Sequence, residues 1–237
     1  MARERTRRGP KGAERYPRRG SGGASLLVNE VYASIQGEGP QTGFPTVIVR
    51  LTGCNLRCSY CDSTRTFFDG EKEEIGHLVE RISAFRLRRV LVTGGEPLAQ
   101  AATPDLCGAL LNRGLDVSIE TNGSYAVGLL PASVMKVVDV KTPRSGSGGS
   151  FRMENLEALA AKDALKFVVA SKSDYGWSRD FILSNGLAAA GSPQLFFSPA
   201  FGEVELSDLA AWILKDRLEV RLQAQLHKMI WGNRAGV

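Results

Sequence analysis

Cysteine and histidine are scarce in this chain, four and two among 237 residues. A disulfide framework spreads paired cysteines through a chain, whereas three of these four, Cys54, Cys58 and Cys61, crowd into eight residues. A closed structural zinc site needs four Cys or His at ligand spacing, and neither His77, His227 nor Cys107 lies at such a spacing from the others. Cys107, inside Leu106-Cys107-Gly108-Ala109-Leu110-Leu111, reads as a small buried hydrophobe on a helix. No apolar run reaches the roughly 20 residues of a membrane span. The N-terminus has no apolar segment of the signal-peptide type, so free thiols in a cytoplasmic protein with no membrane contact are expected.

Positive charge is also missing from most of the chain. The whole carries +5, but residues 1–24 hold eight Arg and Lys against Glu4 and Glu14, a balance of +6. The remainder is close to neutral, and no nucleic-acid interface is expected on the folded body. Residues 1–24 are rich in Arg, Gly and Ser with almost no apolar side chains, and are expected to be a disordered basic tail. That leaves 25–237 as one domain, with 43% hydrophobic residues in the chain to build its core.

What is present is a loop. Gly53-Cys54-Asn55-Leu56-Arg57-Cys58-Ser59-Tyr60-Cys61-Asp62-Ser63 has the spacing C-x3-C-x2-C. Three thiolates hold three irons of a [4Fe-4S] cluster and leave the fourth open to a small molecule. Electron-transfer clusters usually close every position, and an open coordination position marks a metal site that does chemistry.

The elements around the loop alternate. Strands are expected at Leu26–Tyr32, Thr46–Leu51, Val90–Thr93, Asp116–Glu120, Val134–Val140, Ala164–Ala170 and Gln194–Phe197, with a last one at Val220–Gln225. Helices are expected at Glu73–Arg86 and near 100–113, 177–186 and 206–215. This order implies an α/β fold of parallel strands with helical crossovers. There are too few βα units for eight, so a partial (incomplete) parallel β/α barrel is expected. The polar motifs all follow strands, where parallel folds build their sites. Ser145–Ser150, rich in Gly and Ser, is expected to be a mobile loop beside the site.

The three cysteines followed by a strand and Gly94-Gly95-Glu96-Pro97 resemble the radical S-adenosylmethionine (SAM) superfamily. Further stretches narrow the likeness: Ser34-Ile35-Gln36-Gly37-Glu38-Gly39-Pro40, Arg50 before the cysteines, Cys61-Asp62-Ser63, Glu120-Thr121-Asn122-Gly123, Asp139-Val140-Lys141-Thr142-Pro143 and Gln225-Leu226-His227-Lys228. Together, from Leu26 onward, they resemble the 7-carboxy-7-deazaguanine synthase family of queuosine and 7-deazapurine biosynthesis.

The resemblance implies a radical SAM lyase with a radical-SAM catalytic domain over 25–237. It implies cleavage of SAM by the reduced cluster, removal of hydrogen from C6 of 6-carboxy-5,6,7,8-tetrahydropterin, ring contraction and loss of ammonia. It implies Mg²⁺, a homodimer, and a flavodoxin-like or other low-potential electron donor. Ile35, Gln36 and Gly37 would line the pterin pocket, Glu38 would accept from the pterin amino group, and Thr93 would touch substrate. Arg50, a planar fork, would hold its carboxylate. Glu96 would accept from the SAM ammonium, with Gly95 giving close backbone approach. Tyr60, Asp62, Thr121, Asp139 and Lys141 would help hold SAM. Ser63, where the family commonly has Thr, would offer a hard oxygen to Mg²⁺, with Asp62 as second candidate. Arg144 replaces an expected Ser and adds charge beside the SAM region. His227 and Lys228 would close the pocket or pack as a short terminal helix. A glycyl-radical enzyme activase, or a non-catalytic iron–sulfur protein binding nucleic acid through the tail, are the competing alternatives.

Overall fold

The computed structural model describes residues 23–232 together with 234 and 236. Most of the expected basic tail, residues 1–22, lies outside the described residues. One sheet of nine strands organises the rest, in the order β3-β1-β2-β4-β5-β6-β7-β8-β9. The strands are β1 (Ser25–Ile35), β2 (Pro45–Leu51), β3 (Glu71–Glu74), β4 (Arg89–Gly94), β5 (Asp116–Thr121), β6 (Met135–Asp139), β7 (Ala164–Val169), β8 (Gln194–Pro199) and β9 (Arg221–Leu222). β1 runs antiparallel to both β2 and β3, and every pair from β2 to β9 is parallel. Helices α1 (Ile75–Ser83), α2 (Thr103–Asn112), α3 (Lys172–Ser184) and α4 (Leu206–Asp216) make the crossovers, and α5 (Leu226–Trp231) is a terminal turn and a half. β5 to β6 and β6 to β7 are joined only by short 3-10 turns. The sheet does not close, so the expected partial barrel is what forms.

Strand alternation separates two environments. One face of the parallel strands sends Val47, Val49, Leu51, Val90, Val92, Ile119, Val138, Leu165, Phe167 and Phe197 under the helices, all buried. Leu78, Val79 and Ile82 of α1 and Leu106, Cys107 and Leu110 of α2 complete that core. On the opposite face Val137, Ala164 and Phe196 pack as a small separate cluster. The same strand faces carry Arg50, Thr93, Glu120, Asp139, Lys166 and Ser198, with Ile48, Leu91 and Val168 among them, around a cavity. Among the described residues no helix is long and apolar enough to cross a membrane.

Several boundaries differ from the sequence expectation. The helix expected from Glu73 starts at Ile75, because Glu71–Glu74 pairs with β1 as a charged edge strand. α2 starts after Gln100, whose side chain bonds Leu27 N–H and the carbonyls of Leu27 and Thr52. α3 starts five residues early, at Lys172, because Ser171 caps it by accepting from Asp174 N–H. The last strand shrinks to Arg221–Leu222 because the chain then crosses the open side of the sheet. There Gln223 Oε1 accepts Gly39 N–H at 2.6 Å and Leu226 N–H bonds Gly37 carbonyl at 3.1 Å. The Ser/Gly stretch is tied at its start: Ser145 Oγ donates to Thr142 carbonyl and accepts Ser147 N–H.

Candidate active site

A cavity of about 640 Å³ opens at the carboxyl ends of the parallel strands. It is lined by Cys54, Cys58 and Cys61 and by every other sequence-predicted site residue except Glu96: Ile35, Gln36, Gly37, Glu38, Arg50, Tyr60, Asp62, Ser63, Thr93, Gly95, Thr121, Asp139 and Lys141.

The cysteine loop leaves β2 through Gly53, held at a φ of 94°, a left-handed conformation that favours glycine. Gly53 N–H bonds Thr66 carbonyl at 2.8 Å, and Glu96 N–H bonds Gly53 carbonyl at 2.7 Å. A Cβ on Gly94 would strike the Leu51 backbone, and one on Gly95 would strike Gly53 and Cys54. The paired glycines therefore let the turn after β4 lie directly against the cysteine loop. Asn55 and Asn122 hydrogen-bond each other at 3.1 Å, and Ser59 N–H bonds Ser145 carbonyl at 2.9 Å, so the loops after β5 and β6 brace the same segment. All three thiols are free and half-buried. Burial pushes the Cys54 and Cys61 thiols up; iron bound there would favour the thiolates. Among the described residues no three His, Cys, Asp or Glu side chains converge on a point that one ion could occupy.

Glu96 is the exception to that lining. Its carboxylate is fully buried and turned from the cavity. Oε1 accepts Leu98 N–H at 2.9 Å and Thr121 Oγ–H at 2.7 Å, and Oε2 accepts Asn122 N–H at 2.7 Å. Burial raises its pKa, partly offset by those donors. Glu96 thus staples the end of β4 to the end of β5, and only the backbone of Gly94 and Gly95 is presented to a ligand.

On the cysteine side, Lys141 Nζ lies 2.8 Å from Asp139 Oδ2 and 5.9 Å from the centre of the Tyr60 ring. Burial works against the Lys141 ammonium, but Asp139 and then Tyr60 outweigh it and raise its pKa. Burial, then Asp139, pushes the Tyr60 hydroxyl up to about 12. Ser63 Oγ donates to Asp62 Oδ1 at 3.0 Å, and Lys228 stands 3.3 Å from Asp62 Oδ2. Burial alone would raise the Asp62 pKa; Lys228 and Ser63 bring it below the ordinary value. Arg144 is exposed, so its side chain stays out of the cavity while its carbonyl accepts Ser59 Oγ–H.

On the opposite wall, Gln36 Nε2 donates to Glu120 Oε1 at 3.3 Å, and Glu38 pairs with Lys166 at 3.1 Å. Arg50 donates through Nη2 to Tyr32 Oη at 3.2 Å, and its Nε lies 2.8 Å from Glu30 Oε1 without hydrogen-bond alignment. It is both an ion-pair member and part of the cavity lining. His227 presses on Gly37, where a Cβ would collide with its ring.

Buried polar atoms are rarely left without partners. Among the described residues Ser34 Oγ, Tyr60 Oη and Asp139 Oδ1 have none, and all three residues face this cavity. Their acceptors and donors fit polar ligands on both walls, and the half-buried thiols on one wall fit a cluster with an open side. Lys166 was not singled out by sequence, and Ser34 and Glu120 stood in the motif stretches without a role of their own. A lone lysine inside Ala164–Val169, an otherwise apolar strand, was the one available signal.

Residues 48–132 match the model of the radical SAM superfamily. A 7-carboxy-7-deazaguanine synthase of Koribacter versatilis is 44% identical, over 87% of this chain and 97% of that protein. One of Chlorobaculum tepidum is 40% identical, over 88% and 95%. The crystal structure of QueE from Escherichia coli shares the fold, with a TM-score of 0.69 and 21% identity over 84% of this chain and 94% of that one. The cysteine loop, its paired-glycine brace and the two-walled cavity therefore sit in a chain that belongs to the 7-carboxy-7-deazaguanine synthase family of the radical SAM superfamily.

Proposed function

We infer that the protein is a radical SAM carbon–nitrogen lyase that converts 6-carboxy-5,6,7,8-tetrahydropterin to 7-carboxy-7-deazaguanine with loss of ammonia, in queuosine or 7-deazapurine biosynthesis. One observation supports this most: a single cavity carries three free thiols on one wall and Gln36, Glu38 and Arg50 on the other. A [4Fe-4S] cluster on Cys54, Cys58 and Cys61, with SAM, supplies a carbon radical able to take hydrogen from an unactivated position. The chain's own groups bind and orient. Arg50 offers a bidentate fork to the substrate carboxylate, Glu38 accepts from the pterin amino group, and Glu120 holds Gln36 so that its carbonyl faces the pterin edge. Ile35, Gly37 and Thr93 complete that wall. Asp139 Oδ1, Lys141, Tyr60, Thr121 and the Gly95 backbone receive SAM. Ile48, Leu91 and Val168 add apolar surface to the cavity lining.

Ser63 Oγ, with Asp62 beside it, would hold Mg²⁺ through hard oxygens, and the ion would supply positive charge to a bound carboxylate. The enzyme is placed in the cytoplasm as a homodimer and takes electrons from a low-potential, flavodoxin-like donor. The near-neutral body offers no nucleic-acid surface.

The test is an anaerobic turnover of reconstituted protein with SAM, dithionite, Mg²⁺ and 6-carboxytetrahydropterin, read by mass spectrometry. A product matching 7-carboxy-7-deazaguanine is expected. Cleavage of SAM without that product would sink the substrate assignment and return the activase alternative. Chelating divalent cations should slow wild type, and Ser63→Ala should raise the Mg²⁺ needed for half-maximal rate.

A further inference from the structure

A line of buried charges crosses the cavity from one wall to the other. Lys166 on β7 lies directly beside Asp139 of β6 in the parallel register. Its ammonium is 3.1 Å from Glu38 Oε2 and 3.8 Å from Asp139 Oδ2, and its side chain is 8% exposed. Asp139 Oδ2 is in turn 2.8 Å from Lys141 Nζ. Burial would strip the charge from Lys166, but Glu38, then Glu120 and Asp139, hold its pKa well above the ordinary value. An ammonium at this depth persists only where carboxylates surround it.

The two carboxylates it meets belong to different walls. Glu38 lies in the loop after β1, 128 residues away in sequence, and its side chain has no other hydrogen bond among the described residues. Asp139 stands with Lys141 and Tyr60 at the cysteine loop, and its Oδ1 has no partner among the described residues. Lys166 thus supplies the one side-chain hydrogen bond Glu38 makes among the described residues, and adds a second cation to the Oδ2 of Asp139 that Lys141 already holds.

We propose that Lys166 is a positioning residue that sets Glu38 and Asp139 together, so that one buried charge orients the substrate wall and the SAM wall. The proposal rests on Glu38 as the acceptor for the pterin amino group. It touches neither the hydrogen abstraction nor the cluster, and its test is therefore binding.

The experiment is a double-substitution cycle in anaerobically reconstituted full-length protein with SAM present. Affinity for 6-carboxytetrahydropterin is measured by equilibrium dialysis in wild type, Glu38→Gln, Lys166→Met and the double variant. Removing one member of a buried charge pair typically weakens binding strongly, so Lys166→Met is expected to cost about 30-fold in the wild-type background. In the Glu38→Gln background it should cost less than about threefold, since the residue it positions is already disabled. Equal losses in both backgrounds would overturn the proposal, because a lysine that touched substrate directly or only filled space acts independently of Glu38. SAM affinity, measured the same way, should also fall in Lys166→Met; an unchanged value would overturn the two-sided role. Lys166→Gln, which keeps a donor but not the charge, carries the same cycle if the Met variant does not fold. Wild type that binds no 6-carboxytetrahydropterin would overturn the functional assignment and this inference with it, whereas wild-type binding with additive losses overturns this inference alone.

Discussion

Glu96 separates a ligand contact from an internal brace, and the two roles predict different outcomes. Its carboxylate takes three hydrogen bonds in a fully buried position, from Leu98 N–H, Thr121 Oγ–H and Asn122 N–H. Glu96→Ala removes the acceptor and leaves those three donors behind. An unmet buried donor costs about 1–3 kcal/mol, so the loss should be about 3–6 kcal/mol once the structure relaxes around the void. That is a large share of the roughly 5–15 kcal/mol that holds an ordinary domain together. Glu96→Gln keeps the shape, but its amide NH₂ must face at least one of the donors, and about 1–3 kcal/mol should be lost. The assay is urea unfolding of cluster-free, reduced protein followed by far-ultraviolet circular dichroism. Neither SAM nor iron is present, so a ligand-contact role predicts no change at all. If Glu96→Gln unfolds at the wild-type midpoint while the reconstituted protein loses SAM affinity, the bracing role is wrong.

Gly37→Ala should push the His227 ring aside, because the new Cβ has no room; amide exchange over 223–231 should quicken and substrate affinity should fall, and unaltered exchange would refute the fit. His227 is held below its ordinary value of 6.5, first by burial and then by Lys228 and Arg50, against the pull of Glu38 and Asp62. The unfolded chain therefore takes up the proton first as pH falls, and stability present above about pH 6.5 is lost as pH drops through the folded value. His227→Asn should flatten the dependence of the urea midpoint between pH 7 and 5; an identical slope would count against it. Cys54→Ala, Cys58→Ala or Cys61→Ala should each abolish stable iron–sulfur absorbance after reconstitution. Cys107→Ala, inside the α2 core, should keep it and cost only about 1 kcal/mol of stability; loss of iron there would reassign the fourth thiol.

Local patterns in the sequence carried a large part of this structure. Runs of β-branched residues such as Thr46–Leu51 marked strands, because alternation and apolar density follow from burial of both sheet faces. The three cysteines and the paired glycines marked the site, since their spacing is set by contacts within one loop and its neighbouring turn. Even the partial barrel followed from counting strand–helix units. Other features depended on distant partners. Glu73 and Glu74 read as the start of a helix until β1 offers its free edge. Glu96 reads as a ligand contact until Thr121 and Asn122 arrive from the next strand. Gln223 reads as strand until Gly39, 184 residues earlier, claims its side chain. Lys166 drew no reading from the sequence, and only the fold brings Glu38 and Asp139 to it in the cavity. Spacing along the chain thus determined which chemistry this protein carries. Only the tertiary structure decided which of its charges face a ligand and which hold the walls together, because a buried charge is placed by partners that local sequence does not contain.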